Sequence, residues 1–179
     1  SRLDFDYNMR VIHAAGNAYP QVFSLDPAGT MKSNFFGMYN LLEYARMHCP
    51  HRTLYASSGE VYGPGDAESF REDYSGHEDC TSPRACYPSS TRAAETLCAS
   101  YHRQFQSDVV IARPCHTYGA TATATDNRVT AQFIRNILNG EDIVLKSEGR
   151  QIRSYCYVAD CVTALLTILL RGEGGQAYN

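Results

Sequence analysis

The chain has 179 residues, of which 44% are hydrophobic and 20% are charged, as is ordinary for a globular protein with a sizeable core. Its formal net charge is -3 and its charges are interspersed, so the composition gives no reason to expect nucleic acid as a partner. No apolar run approaches the length of a membrane span, and the N-terminus lacks signal-peptide character. These features predict a cytoplasmic protein without a membrane partner.

The predicted elements alternate between strand and helix, which indicates an α/β fold on a mostly parallel sheet. Strands are predicted from short apolar runs and helices from apolar residues at helical spacing. In chain order they are a strand over 9–14, a helix over 26–48, a strand over 53–56, a helix over 88–106, a strand over 109–112, a helix over 128–138, strands over 143–145 and 152–157, a helix over 159–170 and the start of a strand at 177–179.

A doubly wound dinucleotide-binding domain usually begins with a strand, a G-x-G-x-x-G turn and a helix. This sequence has no such segment, because its glycine-dense stretch Gly172–Gly175 follows a predicted helix instead of a strand. We therefore expect part of a doubly wound, Rossmann-type parallel sheet with helices on both faces, in which the N-terminal glycine-rich βαβ half is missing. Such a fragment would expose a sheet edge, so we expect it to be unstable alone or to pair with another copy.

The seven cysteines include no C-x-x-C pair, which argues against a disulfide framework and against a zinc knuckle. The stretch His48-Cys49-Pro50-His51 has ligand-like spacing. A structural metal site needs about four ligands, however, and no second cluster accompanies this one. We therefore predict reduced thiols, no bound metal, and histidines that simply lie at an exposed helix end.

The residues with catalytic potential are a serine and a tyrosine on neighbouring predicted elements. Ser58 follows the strand over 53–56, at the carboxyl end where open α/β sheets place their ligands. Tyr87 lies at the start of the next helix. A tyrosine beside a serine hydroxyl can act as a general base toward a sugar hydroxyl, while the serine holds the substrate oxygen. On spacing alone the commoner explanation is that Ser58 merely ends a strand and Tyr87 is one of thirteen tyrosines.

Six stretches, in order, resemble the motifs of the extended short-chain dehydrogenase/reductases of the NAD-dependent epimerase/dehydratase family. The serine-bearing segment is matched by residues 54–63 and the Tyr-x-x-x-Lys segment by residues 85–97. The other four are residues 13–15, 34–43, 113–119 and 153–160. Together they cover nearly the whole chain. The nearest look-alikes are UDP-glucuronate decarboxylases and dTDP-glucose 4,6-dehydratases, and residues 83–87 favour the decarboxylase branch.

This resemblance implies an enzyme in which bound NAD oxidises a nucleotide sugar at C4. The 4-keto sugar then epimerises, loses water or loses carbon dioxide. Residues 1–119 would be the remainder of the NAD-binding domain, and residues 120–179 would begin the substrate-binding region and return to the sheet. The implied substrate is a UDP- or dTDP-sugar. The implied assembly is a homodimer formed through the helices over 26–48 and 88–106.

The resemblance also assigns roles to individual residues. Tyr87 would be the base, Ser58 its hydrogen-bonding partner, and Glu60 the acid beside the sugar in dehydratases and decarboxylases; a solvated loop acid is the equal alternative for Glu60. The positions implied to contact the cofactor are His13, Ala14, Ala15, Asn34, Ser57, Tyr87, Thr91 and Pro114. Those implied to contact the substrate are Ser58, Glu60, His116, Asn127, Arg128, Phe133 and Arg153.

The sequence departs from the family at two of these positions. Thr91 stands where the family has its catalytic lysine, and His116 stands where it has an asparagine. A threonine hydroxyl can keep a hydrogen bond to the cofactor ribose but supplies no positive charge to lower the pKa of Tyr87. We therefore expect Tyr87 to be a weaker base and catalysis to be slow or absent. The alternative is an inactive protein that binds a nucleotide sugar or another protein.

Overall fold

The computed structural model describes residues 8–48, 50–65, 69–120, 126, 128–145, 148–149 and 152–179. The strands are β1 (Arg10–His13), β2 (Arg52–Ala56), β3 (Val109–Ala112), β4 (His116–Tyr118), β5 (Tyr155–Tyr157) and β6 (Ala177–Tyr178). The helices are α1 (Pro20–Leu25), α2 (Pro27–His48), α3 (Cys86–Phe105), α4 (Val129–Asn139) and α5 (Val158–Arg171), with a short 3-10 helix over Gly59–Tyr62.

The chain divides into two compact units. The first comprises the residues up to Pro114 together with Ala164–Asn179, and the second comprises Cys115–Thr163. The functional boundary expected after residue 119 stays a prediction, because compactness by itself assigns no function to either unit.

The first unit is built on a four-stranded parallel sheet with the strand order β1-β2-β3-β6. All four residues of β3 are buried, as expected for a strand that is covered on both faces. Parallel neighbours that are far apart in sequence need crossover connections, which α2, α3 and α5 supply. The predicted α/β class with a parallel sheet is confirmed.

Helices cover both faces of this sheet. On one face α2 and α3 pack against β2 and β3, and the buried residues there are Met38, Leu42, Tyr55, Ala94, Cys98, Tyr101, Val109 and Ile111. On the opposite face Leu169 of α5 packs against Leu54, Val110 and Ala112. Because side chains alternate between the faces of a strand, adjacent residues of β2 and β3 contribute to opposite cores. This two-faced arrangement is that of a doubly wound domain.

The helix α1 was not predicted from the sequence. Pro20 opens it, at a position where a missing N–H costs nothing, and Phe23 is its buried residue. Six residues are too few to display the apolar periodicity of a helix. The longer α2 begins directly afterwards, where Asp26 Oδ1 accepts a hydrogen bond of 2.8 Å from the backbone of Gly29. That contact is an N-cap, which explains the separation of the two helices.

The second unit contains a parallel pair, β4 with β5, and the helix α4. Two sequence-based predictions are wrong here. Residues 143–145 form no strand, and their side chains are exposed instead of packed. The strand expected over 152–157 begins only at Tyr155, so Arg153 precedes it and does not open it. Short apolar runs have no diagnostic period, so a partner strand decides whether they become strands.

Candidate active site

The central pair of the predicted site comes together where β2 ends and α3 begins. The Ser58 hydroxyl accepts a hydrogen bond of 3.2 Å from the backbone of Glu60 and thereby caps the 3-10 helix. The same hydroxyl lies near enough to the phenol of Tyr87 to lower its pKa. Two residues that are 29 positions apart therefore meet at the carboxyl end of a parallel strand, where ligands bind in sheets of this type.

The environment of Tyr87 disfavours its phenolate. Burial raises the pKa of the Tyr87 phenol, the nearby hydroxyl of Ser58 opposes that shift, and the negative charge of Glu60 adds to it. The Tyr87 ring stacks on Phe23 of α1 with a centroid distance of 4.6 Å and an interplanar angle of 17°. Phe23 thus forms one wall of the site. Phe23 lies outside the sequence motifs, so it was not predicted as a site residue.

Thr91 lies one helical turn after Tyr87 and is only 2% exposed. Its hydroxyl donates a hydrogen bond of 2.8 Å to the backbone carbonyl of Tyr87 and also contacts the phenol of Tyr55. This geometry uses the hydroxyl inside the protein, which counts against the predicted contact with a cofactor ribose. The next residue, Arg92, faces elsewhere, because its guanidinium donates to the carbonyls of Val61 and Gly76 at 2.6 and 3.0 Å.

Glu60 lies at the open side of the site and pairs with an arginine. Its Oε2 is 3.3 Å from Nη2 of Arg84, and the two side chains are 41% and 59% exposed. The Arg84 guanidinium also lies over the ring of Phe23, 5.8 Å from its centroid. Arg84 therefore brings a positive charge to the ring that stacks on Tyr87.

The strand β1, which is predicted to lie along the cofactor, is followed by exposed residues. His13, at the end of β1, has a buried Nδ1 without a hydrogen-bond partner among the described residues, and burial lowers the pKa of its imidazole. Ala14 and Ala15 follow it and are exposed. Gly16 was not singled out from the sequence, yet a Cβ there would lie 2.7 Å from Oδ1 of Asn34. A side chain at this position would require Asn34 to move.

Three other predicted cofactor positions make contacts within the protein, and their contact with a cofactor stays a prediction. Asn34 is buried, and its Nδ2 donates a 3.1 Å hydrogen bond to Ser90, which ties α2 to α3. The Ser57 hydroxyl donates 2.5 Å to Glu95, a residue that the sequence analysis did not single out. The carbonyl of Pro114 accepts 3.1 Å from the backbone of Gly59. The bonds from Ser57 and Gly59 hold the turn that carries Ser58 in place.

The second unit contains the other predicted substrate residues. Arg128 forms paired hydrogen bonds to the buried carboxylate of Asp126 and lines an open cleft of about 560 Å³. The hydrogen bond from Arg128 holds the pKa of Asp126 below its usual value, against the effect of burial. His116 and Arg153 are exposed, and Phe133 is half-buried. Asn127 lies outside the described residues.

The part of the chain that the structure describes contains neither a membrane-spanning helix nor a cluster of metal ligands. None of its helices combines the length and the apolar character needed to cross a bilayer. The same residues contain no group of three or more histidine, cysteine, aspartate or glutamate side chains that could hold a metal ion. Cys49, in the stretch with ligand-like spacing, lies outside them.

The chain is similar to UDP-glucuronic acid decarboxylases. UDP-glucuronic acid decarboxylase 1 from Danio rerio is 36% identical over 160 residues, which cover 89% of this chain and 38% of that protein. UDP-glucuronic acid decarboxylase 3 from Arabidopsis thaliana is 36% identical over 166 residues, which cover 93% of this chain and 48% of that protein. The chain thus spans less than half the length of these relatives.

Solved structures show the same architecture. DesIV, a dTDP-glucose 4,6-dehydratase from Streptomyces venezuelae with NAD and TYD bound, matches with a TM-score of 0.83 and 25% identity, over 94% of this chain and 50% of that one. RMD from Pseudomonas aeruginosa, complexed with NADPH, matches with a TM-score of 0.79 and 32% identity, over 95% and 59%. The profile of the NAD dependent epimerase/dehydratase family matches residues 7–179. The chain therefore belongs to the NAD-dependent epimerase/dehydratase family.

Proposed function

We propose that this chain contributes the catalytic serine and tyrosine to an NAD-dependent enzyme that modifies a nucleotide sugar through a 4-keto intermediate. The observation that carries the proposal is the proximity of Ser58 to Tyr87 at the carboxyl end of β2, where the serine hydroxyl influences the pKa of the phenol. The decarboxylases among the relatives and the dehydratases among the structural neighbours support a sugar nucleotide as the substrate class. Because the chain spans about half of those proteins, the activity and substrate of the whole protein remain part of the proposal.

The end of β1 fits a bound NAD. The unpartnered Nδ1 of His13 and the exposed Ala14 and Ala15 form a strand end that lacks large side chains and offers a polar atom. When bound, NAD would supply the hydride acceptor for oxidation at C4 of the sugar. In this proposal His13, Ala14 and Ala15 lie along the cofactor, and Asn34 holds the neighbouring helix in place.

Tyr87 and Ser58 divide the proton chemistry. Tyr87, as the phenolate, takes the proton of the C4 hydroxyl and becomes the neutral phenol, while Ser58 donates a hydrogen bond to the tyrosine oxygen or to the substrate oxygen. Glu60, half exposed beside them, is placed to exchange a second proton with the sugar. That additional acid favours decarboxylation or dehydration over simple epimerisation.

A second function is favoured by the surroundings of Thr91. Its hydroxyl is hydrogen-bonded to the backbone of Tyr87, and burial raises the pKa of Tyr87. A tyrosine without a neighbouring ammonium is a weak base at neutral pH. The alternative is therefore a protein that keeps a nucleotide-sugar fold for binding and has lost most of its catalytic rate.

Calorimetric titration of the purified chain with NAD is the first test. Saturable binding near one site per chain supports a working cofactor strand, and assays with UDP-glucuronate and dTDP-glucose then separate the two functions. Tyr87→Phe is the control, because it removes the base while keeping the ring that stacks on Phe23. No binding at millimolar NAD would overturn the proposed cofactor site.

A further inference from the structure

A buried ion pair lies directly behind the turn that carries Ser58. Nε of Arg113 donates to Oε1 of Glu95 at 3.0 Å, and Nη2 donates to Oε2 at 2.7 Å. The two side chains are only 12% and 11% exposed. Although burial alone would lower the pKa of Arg113, its hydrogen bonds with Glu95 and Tyr62 raise it. Paired, charge-assisted bonds of this kind fix direction as well as distance.

The carboxylate of this pair reaches the residue next to Ser58. The hydroxyl of Ser57 donates a hydrogen bond of 2.5 Å to Oε1 of Glu95, the same oxygen that receives Nε of Arg113. Glu95 stands on α3, eight residues after Tyr87. One carboxylate therefore connects the helix that carries Tyr87 with the turn that carries Ser58.

The remaining contacts of the turn show what this connection adds. Backbone hydrogen bonds already hold the turn to the strand β3 and its exit, from Ser57 to Ala112 at 2.8 Å and from Gly59 to Pro114 at 3.1 Å. Those bonds set the turn relative to the sheet, and Arg92 of α3 reaches the 3-10 helix after the turn by donating to the carbonyl of Val61 at 2.6 Å. The bond between Ser57 and Glu95 is a polar, buried link from the turn to α3.

Arg113 is itself held firmly, so it can orient the carboxylate. Its Nη1 donates to the phenol oxygen of Tyr62 at 2.8 Å and to the backbone carbonyl of Glu72 at 2.9 Å. Tyr62 in turn donates a 2.5 Å hydrogen bond to Asn179, which follows β6. The guanidinium thus has partners on several sides, and its orientation is determined by the surrounding fold.

We propose that Glu95, oriented by Arg113, is a positioning residue that sets the separation of Ser58 and Tyr87 by holding Ser57. The proposal rests on the proposed function only in taking Ser58 and Tyr87 as the working pair. A purely structural ion pair would stabilise the domain without affecting the contact between those two hydroxyls. The two roles therefore differ in whether the environment of the Tyr87 phenol depends on Ser57.

The test compares Ser57→Ala with Ser100→Ala in the full chain, labelled with 13C at the tyrosine Cζ. Ser57→Ala removes the link while Glu95 and Arg113 remain paired. Ser100, on the same helix as Glu95 and Tyr87, is a matched control, because its hydroxyl donates to the carbonyl of Thr96 at 2.8 Å on an exposed surface. The Tyr87 resonance is assigned with Tyr87→Phe, and a melting curve confirms that each variant is folded.

We expect Ser57→Ala to move the Tyr87 Cζ resonance while Ser100→Ala leaves it unchanged. If Ser57→Ala does not fold, Glu95→Gln provides the same comparison, since it preserves the shape of the side chain and removes the charge that orients it. A folded variant of Ser57 or Glu95 with an unchanged Tyr87 resonance would overturn the proposal. The measurement needs neither NAD nor substrate, so its failure is distinguishable from failure of the proposed enzyme activity.

Discussion

At the scale of single residues, the proposed chemistry depends most on position 91, where threonine stands in place of the lysine expected from the family motif. In that proposal Tyr87 acts as a base only in its deprotonated form, and burial raises its pKa above the ordinary value of 10.0. At pH 7 the phenolate is therefore a small fraction of the protein. Any rate that depends on it should rise about tenfold per pH unit until the pKa is reached.

Thr91→Lys should lower the pKa of Tyr87 and raise the rate at neutral pH, because an ammonium one helical turn away stabilises the phenolate. The measurement is the pH dependence of NAD-dependent turnover, with the Cζ chemical shift of Tyr87 as an independent record of its titration. Thr96→Lys is the matched control, since it adds the same charge to an exposed position of the same helix. Equal behaviour of the two variants would show that the missing lysine is not what limits this site.

At the scale of elements, the packing of α5 on the sheet can be separated from its surface contacts. Leu169 is 5% exposed and contacts Leu54 and Val110, whereas its neighbour Leu170 is 59% exposed. The two leucines stand on the same helix and differ in burial. Their substitutions therefore compare the cost of a cavity with the cost of a changed surface.

Leu169→Ala should lower the free energy of unfolding by about 2–5 kcal/mol, through lost burial and the cavity left between helix and sheet. Leu170→Ala should change it by less than about 0.5 kcal/mol, since no core contact is removed. Urea denaturation of both variants measures the difference. Comparable losses would mean that α5 does not pack on the sheet as described.

At the scale of the whole molecule, the predicted homodimer depends on the outer surfaces of α2 and α3. Large apolar side chains are exposed on these helices, among them Phe36 at 54%, Met47 at 63% and Phe105 at 40%. Exposed apolar side chains of this size are typical of surfaces that associate. The resemblance to the family places the dimer contact on the same two helices.

Phe36→Lys should shift the chain from dimer to monomer, because a charge in an apolar contact loses its hydration without gaining a partner. Sedimentation velocity at micromolar concentration measures the change. Leu25→Lys makes the same kind of substitution at a side chain that is 82% exposed on α1, and should leave the assembly unaltered. A monomeric parent chain, or a dimer that survives Phe36→Lys, would contradict the predicted contact.

The sequence by itself determined the fold class and the order of the long elements, while Ser58 and Tyr87 as a working pair stay a prediction. Apolar residues at helical spacing predict α2 and α3, and a continuous apolar run predicts the fully buried β3. The family motifs single out residues at a strand end and on a helix. These signals are local, so they survive without knowledge of the partners. The sequence also shows the departure from the family at Thr91, because it is a change at one position of a motif.

Only the tertiary structure decided which side chains are available and which are committed. Residues 143–145 form no strand, and β5 begins only at Tyr155, where it pairs with β4. Local apolar runs do not encode whether such a partner strand is present. The burial of Thr91, the stacking of Phe23 on Tyr87 and the link from Ser57 to Glu95 join residues from separate elements. Such contacts arise from how helices pack on a sheet, and packing geometry has no signature in the spacing of residues along one element.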